Sequence, residues 1–165
     1  MKPLWAPWRM EFIEGKKPEG CIFCDFPREN DPDADRRNLL LIRTERSFAM
    51  LNRYPYNSGH LMVIPHRHTA DFSALRTEES GDLHRLLQIS VDVLKEAYRP
   101  EGFNLGMNLG RSAGAGIVDH LHYHVVPRWI GDTNFMPVLT DTKVVVEHLL
   151  AAYDKLHPLF ARRLG

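Results

Sequence analysis

Between His120 and Trp129 histidine recurs at every second position, as His120, His122 and His124, with Leu121, Tyr123, Val125 and Val126 filling the run. Strict alternation in a β-branched and aromatic segment is the pattern of a half-buried strand, whose side chains point to opposite faces in turn. A chain with this segment is constrained to build a sheet that carries three imidazoles on one face and Leu121, Tyr123 and Val125 toward a core. Pro127, which has no N–H to donate, is expected to stop the pairing. Imidazole titrates near neutrality and serves as nucleophile, acid, base or metal ligand, so a row of three points to chemistry. The chain has nine histidines, enough to place a pair at this spacing by accident, but three in register beside a glycine-rich loop argue for function.

The rest of the chain supports one domain over residues 1–165, long enough for a real core. Acidic and basic residues balance at 21 each, which leaves no global electrostatic case for nucleic acid or an anionic membrane as partner. No run is apolar and long enough to span a bilayer, and the start lacks the apolar region of a signal peptide, so the expected location is cytoplasmic. Residues 1–20 read as an irregular arm with Trp5, Trp8 and Phe12, packed on the domain or on a partner subunit. Cys21 and Cys24 are the only cysteines. In a reducing compartment their C-x-x-C spacing reads as a redox dithiol, as half of a zinc site completed by histidines, or as a pair of free thiols.

Residues 25–38 are polar, carry Pro27 and Pro32, and are expected to form a solvated loop. Strands follow at Leu39–Ile42, Ser47–Leu51 and Gly59–Pro65, the last leading to His68, a candidate metal ligand at a strand end. Thr77 is expected to cap a helix whose apolar stripe, Leu83, Leu86, Leu87, Val91, Leu94 and Tyr98, faces the core before Pro100. A fourth strand at Phe103–Leu109 enters Gly110-Arg111-Ser112-Ala113-Gly114-Ala115-Gly116, where glycines let backbone amides approach an anion such as phosphate. Val145, Leu149, Tyr153, Leu156 and Phe160 mark a C-terminal helix over 143–163, expected to bend or break at Pro158.

The segment His120-Leu121-His122-Tyr123-His124-Val125-Val126 resembles the motif that defines the histidine triad (HIT) superfamily of nucleotidyl hydrolases and transferases. The resemblance spans roughly residues 20–130, including the Asn52 turn, the Gly59-His60-Leu61-Met62-Val63-Ile64-Pro65 strand and the glycine-rich loop. Leu4-Trp5-Ala6-Pro7-Trp8-Arg9 and Gly131-Asp132-Thr133-Asn134-Phe135-Met136 resemble a bacterial branch that includes diadenosine tetraphosphate phosphorylases. This resemblance implies a HIT-like α+β fold: an antiparallel sheet of about five strands, a central helix and a C-terminal helix, paired as a homodimer.

It further implies that His122 attacks the α-phosphorus of an adenine nucleotide or dinucleoside polyphosphate and forms a covalent nucleotidyl-histidine, which inorganic phosphate or water then releases. His124 is implied to hydrogen-bond the phosphate or protonate the leaving group. Asn52 is implied at the ribose, Asn108 at ribose or phosphate, and Gly110, Ser112, Gly114 and Gly116 around the phosphate, with His60 orienting the triad. Zinc-bearing members imply Cys21, Cys24, His68 and His120 as ligands of a structural zinc, with no organic cofactor. The chain departs from many hydrolase members, which carry glutamine or serine where it has Gly114, Ala115, Gly116 and Ile117, and its loop is one residue longer. Two other readings stand beside nucleotidyl transfer: a metallohydrolase with all three histidines on a catalytic metal, and a noncatalytic nucleotide-binding module.

Overall fold

Alternation in five short segments dictates the core of this protein, whose computed structural model describes residues 20–132 and 147–164. Strands β1 (Leu40–Arg43), β2 (Ser47–Leu51), β3 (Leu61–Pro65), β4 (Gly102–Met107) and β5 (Tyr123–Arg128) form one antiparallel sheet. Their order is β1-β2-β3-β5-β4, so β4 is an edge strand. The helices are α1 (Ile22–Glu29), α2 (Pro32–Asn38), α3 (Thr77–Tyr98) and α4 (Leu149–Leu164). The five-stranded sheet, the long helix and the C-terminal helix agree with expectation. The arm at 1–19 and the stretch 133–146, with the expected start of the last helix, lie outside the described residues.

The period of two sorts the sheet into two faces. Ala49, Leu51, Leu61, Val63 and Val125 pack against Leu83, Leu86, Val93 and Leu94 of α3 and Tyr153, Leu156 and Phe160 of α4. Removing so much apolar surface from water is the main favourable term in the fold. The opposite residues, Leu40, Phe48, Met50, Met62 and Ile64, form a second cluster under Phe23 of α1. His124 pairs with Met62 in register and so lies on this second face. Toward β4 the same face opens, with Asn104 and Gly106 exposed.

Several expectations need correction. Residues 25–38 are not a solvated loop: α1 and α2 fill almost all of them. Pro32 stands at the first position of α2, where its missing N–H costs nothing, and Asp31 caps it by accepting Ala34 N–H at 2.9 Å. Buried Phe23 and Ala34 anchor the pair, and Asp35 holds Arg43 of β1 through two hydrogen bonds of 2.6 Å. Arg76, not Thr77, is the N-cap of α3, where Glu79 accepts the Arg76 N–H at 2.8 Å. Helix α4 runs through Pro158 without a break, with buried Leu156 and Phe160 pinning it to the core on either side.

Pro127 does not end the strand either. Pairing of β5 with β3 stops at Val125, whereas pairing with β4 continues through Pro127 to Arg128. At the other end β5 begins only at Tyr123, leaving His120 and His122 ahead of the ladder. Continuing the register would set Leu121 against Pro65, which has no N–H to donate. That stretch is held instead by Leu121 N–H to the Thr69 carbonyl at 2.8 Å.

Candidate active site and metal cluster

Hydrogen bonds to the main chain choose the tautomers of the first two triad histidines. His120 Nε2 donates to the Pro65 carbonyl at 2.8 Å, which leaves its Nδ1 as a lone pair. That nitrogen lies 3.3 Å from Cys21 Sγ and 3.6 Å from Cys24 Sγ. His68 Nδ1 is 3.3 Å from Cys24 Sγ. The four ligand atoms of Cys21, Cys24, His68 and His120 all lie within 4.8 Å of one another. Two thiols and two imidazoles at this separation suit a tetrahedral ion, and the Pro65 carbonyl supplies the outer hydrogen bond that metal-binding imidazoles require. Sequence expectation and structure agree on this cluster. Burial, with Cys21 beside it, pushes the Cys24 thiol up, and burial pushes the His120 imidazole down.

His122 is oriented one residue pair further on. Its Nδ1 donates to the His120 carbonyl at 2.9 Å, so Nε2 carries the lone pair. Burial lowers its affinity for protons and keeps the ring neutral, the form a nucleophile needs. Phe23 packs against both rings, with centroids 5.5 Å from His120 and 5.2 Å from His122. The C-x-x-C segment therefore contributes an aromatic wedge as well as two thiols, a role its sequence did not reveal.

A second chain of bonds sets His124. Tyr56 N–H donates to His60 Nδ1 at 3.0 Å, which places the His60 proton on Nε2. His60 Nε2 then donates to His124 Nδ1 at 3.0 Å, leaving His124 Nε2–H as a donor. His60 is fully buried, and burial followed by the neighbouring His124 lowers its pKa to about 3. Burial, with His122 nearby, lowers His124 to about 4. Rings of His122 and His124 meet edge to face with their centroids 5.0 Å apart. Tyr56 stacks on His60 at 4.9 Å and was not foreseen as a site residue.

The remaining residues fall around this pair. Asn52 sits at the turn before His60, its Oδ1 accepting Tyr54 N–H at 2.9 Å and its Nδ2 3.5 Å from His60 Nε2. Gly110, Ser112, Gly114 and Gly116 form an exposed loop, with Gly110 and Gly114 at φ +79° and +86°. Its Gly114 and Ala115 amides bond back to Arg111 and Gly110, so any anion nest uses the other amides. Ile117, at the end of the loop, packs on the Phe23 cluster and ties the loop to the histidine face. Beside His124 a trough of about 360 Å³ runs along β5 and β4, bordered by Tyr56, Asn57, Asn104, Asn108 and Arg128. Arg128 and Asn57 were not anticipated, because nothing local in the sequence marks them.

The HIT domain family model matches residues 34–129. An AP-4-A phosphorylase of Mycobacterium tuberculosis is 39% identical over 154 residues, covering 90% of this chain and 79% of that protein. A bis(5'-adenosyl)-triphosphatase of Dictyostelium discoideum is 33% identical over 93 residues, covering 56% of this chain and 62% of that protein. Among solved structures, a Zn-bound histidine triad family protein from Mycobacterium smegmatis superposes with a TM-score of 0.67 at 25% identity, covering 87% of this chain and 95% of that one. With the triad, its sheet and the match to the family model in agreement, the chain belongs to the HIT domain family.

Proposed function

We propose that this protein is a dinucleoside polyphosphate phosphorylase that acts through a nucleotidyl-His122 intermediate, with diadenosine tetraphosphate as substrate and ADP and ATP as products. The observation that carries the reading is the Nε2 lone pair of His122, held by the 2.9 Å bond from its Nδ1 to the His120 carbonyl. In the first step a bond forms from Nε2 to the α-phosphorus while the bridging P–O bond breaks and ATP departs with the electron pair. The His122 Nδ1–H stays on the ring and its positive charge is stabilised by the His120 carbonyl. His124 Nε2–H is the donor available to the leaving oxygen. In the second step an oxygen of inorganic phosphate bonds to phosphorus, the P–N bond breaks and its electron pair returns to Nε2.

Asn52 fits the ribose, Asn108 the ribose or phosphate, and the loop at Gly110, Ser112, Gly114 and Gly116 the non-bridging oxygens. Zinc suits the Cys21, Cys24, His68 and His120 cluster, where it would have a structural role by fixing the segment that carries His122. Among the described residues no strand pairs with the outer side of β4, and the exposure of Leu105 on it, at 53%, and of Leu109 just beyond it, at 48%, supports pairing as a homodimer. The Dictyostelium relative's name favours a second reading, hydrolysis, in which water takes the place of phosphate. Product analysis with diadenosine tetraphosphate separates them: ADP plus ATP formed only with added phosphate supports phosphorolysis, and AMP plus ATP without it supports hydrolysis. No turnover in either condition overturns both.

A further inference from the structure

Pro127 interrupts the ladder between β3 and β5, and the group that takes over there bears on the site. Continuing the register of Leu61 with Val125 and Met62 with His124 would set Gly59 against Pro127. The nitrogen and the carbonyl of one strand residue point to the same edge, and successive residues alternate between edges. Arg128 turns its carbonyl toward β4, accepting Glu101 N–H at 2.9 Å, so Pro127 faces β3 with a carbonyl and no N–H. Pro127 is buried, and its carbonyl would cost stability there without a donor.

The buried side chain of Asn57 supplies the donor. Its Nδ2 donates to the Pro127 carbonyl at 2.9 Å and to Asp132 Oδ2 at 2.7 Å. Both partners only accept, so the amide stands one way round and both of its N–H groups are used. Asp132 is itself fixed, accepting from Arg128 Nε at 2.6 Å and Arg128 NH2 at 2.9 Å. The main-chain carbonyl of Asn57 accepts His60 N–H at 3.1 Å, and the His60 carbonyl accepts Asn52 N–H at 2.9 Å. One residue thus braces the turn that carries His60 and pins that turn to β5. His60 Nε2 makes the second link to β5, at His124 Nδ1, 3.0 Å away. The two links sit three residues apart on the strand, about 10 Å, so a turn fastened at Pro127 has little freedom to swing away from His124.

We propose that Asn57 is a positioning residue for the proton donor: by fastening the His60 turn to Pro127 and Asp132, it keeps His60 bonded to His124 Nδ1 and the His124 proton on Nε2. The inference rests on nucleotidyl transfer at His122, in which His124 Nε2–H serves the leaving oxygen. Without the clamp His124 takes either tautomer, and the one protonated on Nδ1 has only a lone pair on Nε2. His122 is independent of the clamp, because the His120 carbonyl fixes its proton. An effect on His124 that spares His122 therefore separates positioning from general loosening.

Long-range proton–nitrogen NMR spectra of the imidazoles in the full-length protein read both tautomers without turnover. Wild type is expected to carry the proton on Nε2 of His124 and on Nδ1 of His122. Asn57→Ala is expected to show His124 as a mixture of tautomers, with His122 unchanged. Two aryl esters of AMP supply the second readout, since phenolate is a poorer leaving group than p-nitrophenolate and depends more on the donated proton. Asn57→Ala should lower kcat/KM for the phenyl ester about tenfold more than for the p-nitrophenyl ester. Asp132→Ala, which leaves the bond to Pro127 in place, is expected to act in the same direction by a smaller factor and decides the matter if Asn57→Ala does not fold. His124 still wholly protonated on Nε2 in the folded variant would overturn the proposal, and so would equal losses on the two esters. Wild-type protein that turns over neither ester would count against the His122 reading, and the spectra would then decide the clamp.

Discussion

The His120 carbonyl accepts the Nδ1–H of His122 at 2.9 Å, while the His120 ring belongs to the four-residue cluster that could hold a metal ion. One residue thus joins the cluster to the proposed nucleophile through two of its own atoms. Any displacement of His120 moves the hydrogen bond that keeps the His122 lone pair on Nε2.

His122→Ala is expected to reduce turnover by about a thousandfold or more while adenine nucleotide binding stays within a few fold, since the ring is the proposed nucleophile and not the main binding surface. Mass spectrometry of protein quenched in base, where the P–N bond survives, should find a nucleotidyl adduct in the wild type and none in the variant. Turnover within tenfold of wild type would refute covalent catalysis at this position.

Metal removal should affect stability before chemistry is considered. Elemental analysis is expected to find one zinc per chain, lost in Cys21→Ser and Cys24→Ser. Chelation is expected to lower Tm by several degrees, with recovery on adding zinc, because the cluster ties α1, the segment after β3 and the segment before β5 together. A Tm indifferent to chelator and to both substitutions would exclude a structural ion.

Acid should destabilise the fold through His60. Its pKa falls from 6.5 to about 3 on folding, so the unfolded chain binds the extra proton between those values. The stabilisation is complete above pH 6.5 and is lost as pH falls toward 3, at up to about 1.4 kcal/mol per pH unit for one fully shifted group. Urea unfolding at pH 7 and pH 5 should show a smaller acid loss for His60→Gln than for wild type. Equal losses would contradict a neutral buried His60.

Gly59→Ala is expected to destabilise by about 1–3 kcal/mol, since φ is +75° there and an added Cβ would stand 2.9 Å from Tyr98 Cε2 and 3.1 Å from Leu94 Cδ2. The residue precedes His60, so the same variant should also lower kcat. Thermal denaturation checks the first effect, and a Tm equal to wild type would show that the turn accommodates a side chain.

Local pattern carries far in this protein because its decisive residues are close in sequence. Alternation alone separates the histidines from Leu121, Tyr123 and Val125, although only His124 of the three lies within β5, and the apolar stripes of α3 and α4 mark the helices that cover the sheet. The polar stretch at 25–38 misleads because its helices rest on a few anchors, Phe23, Ala34 and the Asp35 pair with Arg43, whose partners lie on a later strand. Ligand types for the metal cluster are legible in Cys21, Cys24, His68 and His120, but their meeting depends on how β3 and the segment before β5 lie together.

What the amino-acid order determined by itself is therefore the inventory and its periodicity: a strand-spaced imidazole row, a glycine-rich loop, a dithiol and the amphipathic elements around them. Only the tertiary structure decided the protonation of each ring, through the Pro65 carbonyl, the His120 carbonyl and the Tyr56 amide, and only it brought Arg128, Asn104 and Asp132 into one network beside His124. The reason is physical: side-chain periodicity is a local property of the backbone, whereas a hydrogen bond between residues far apart in the chain exists only once the sheet register has set them within 3 Å or so of each other.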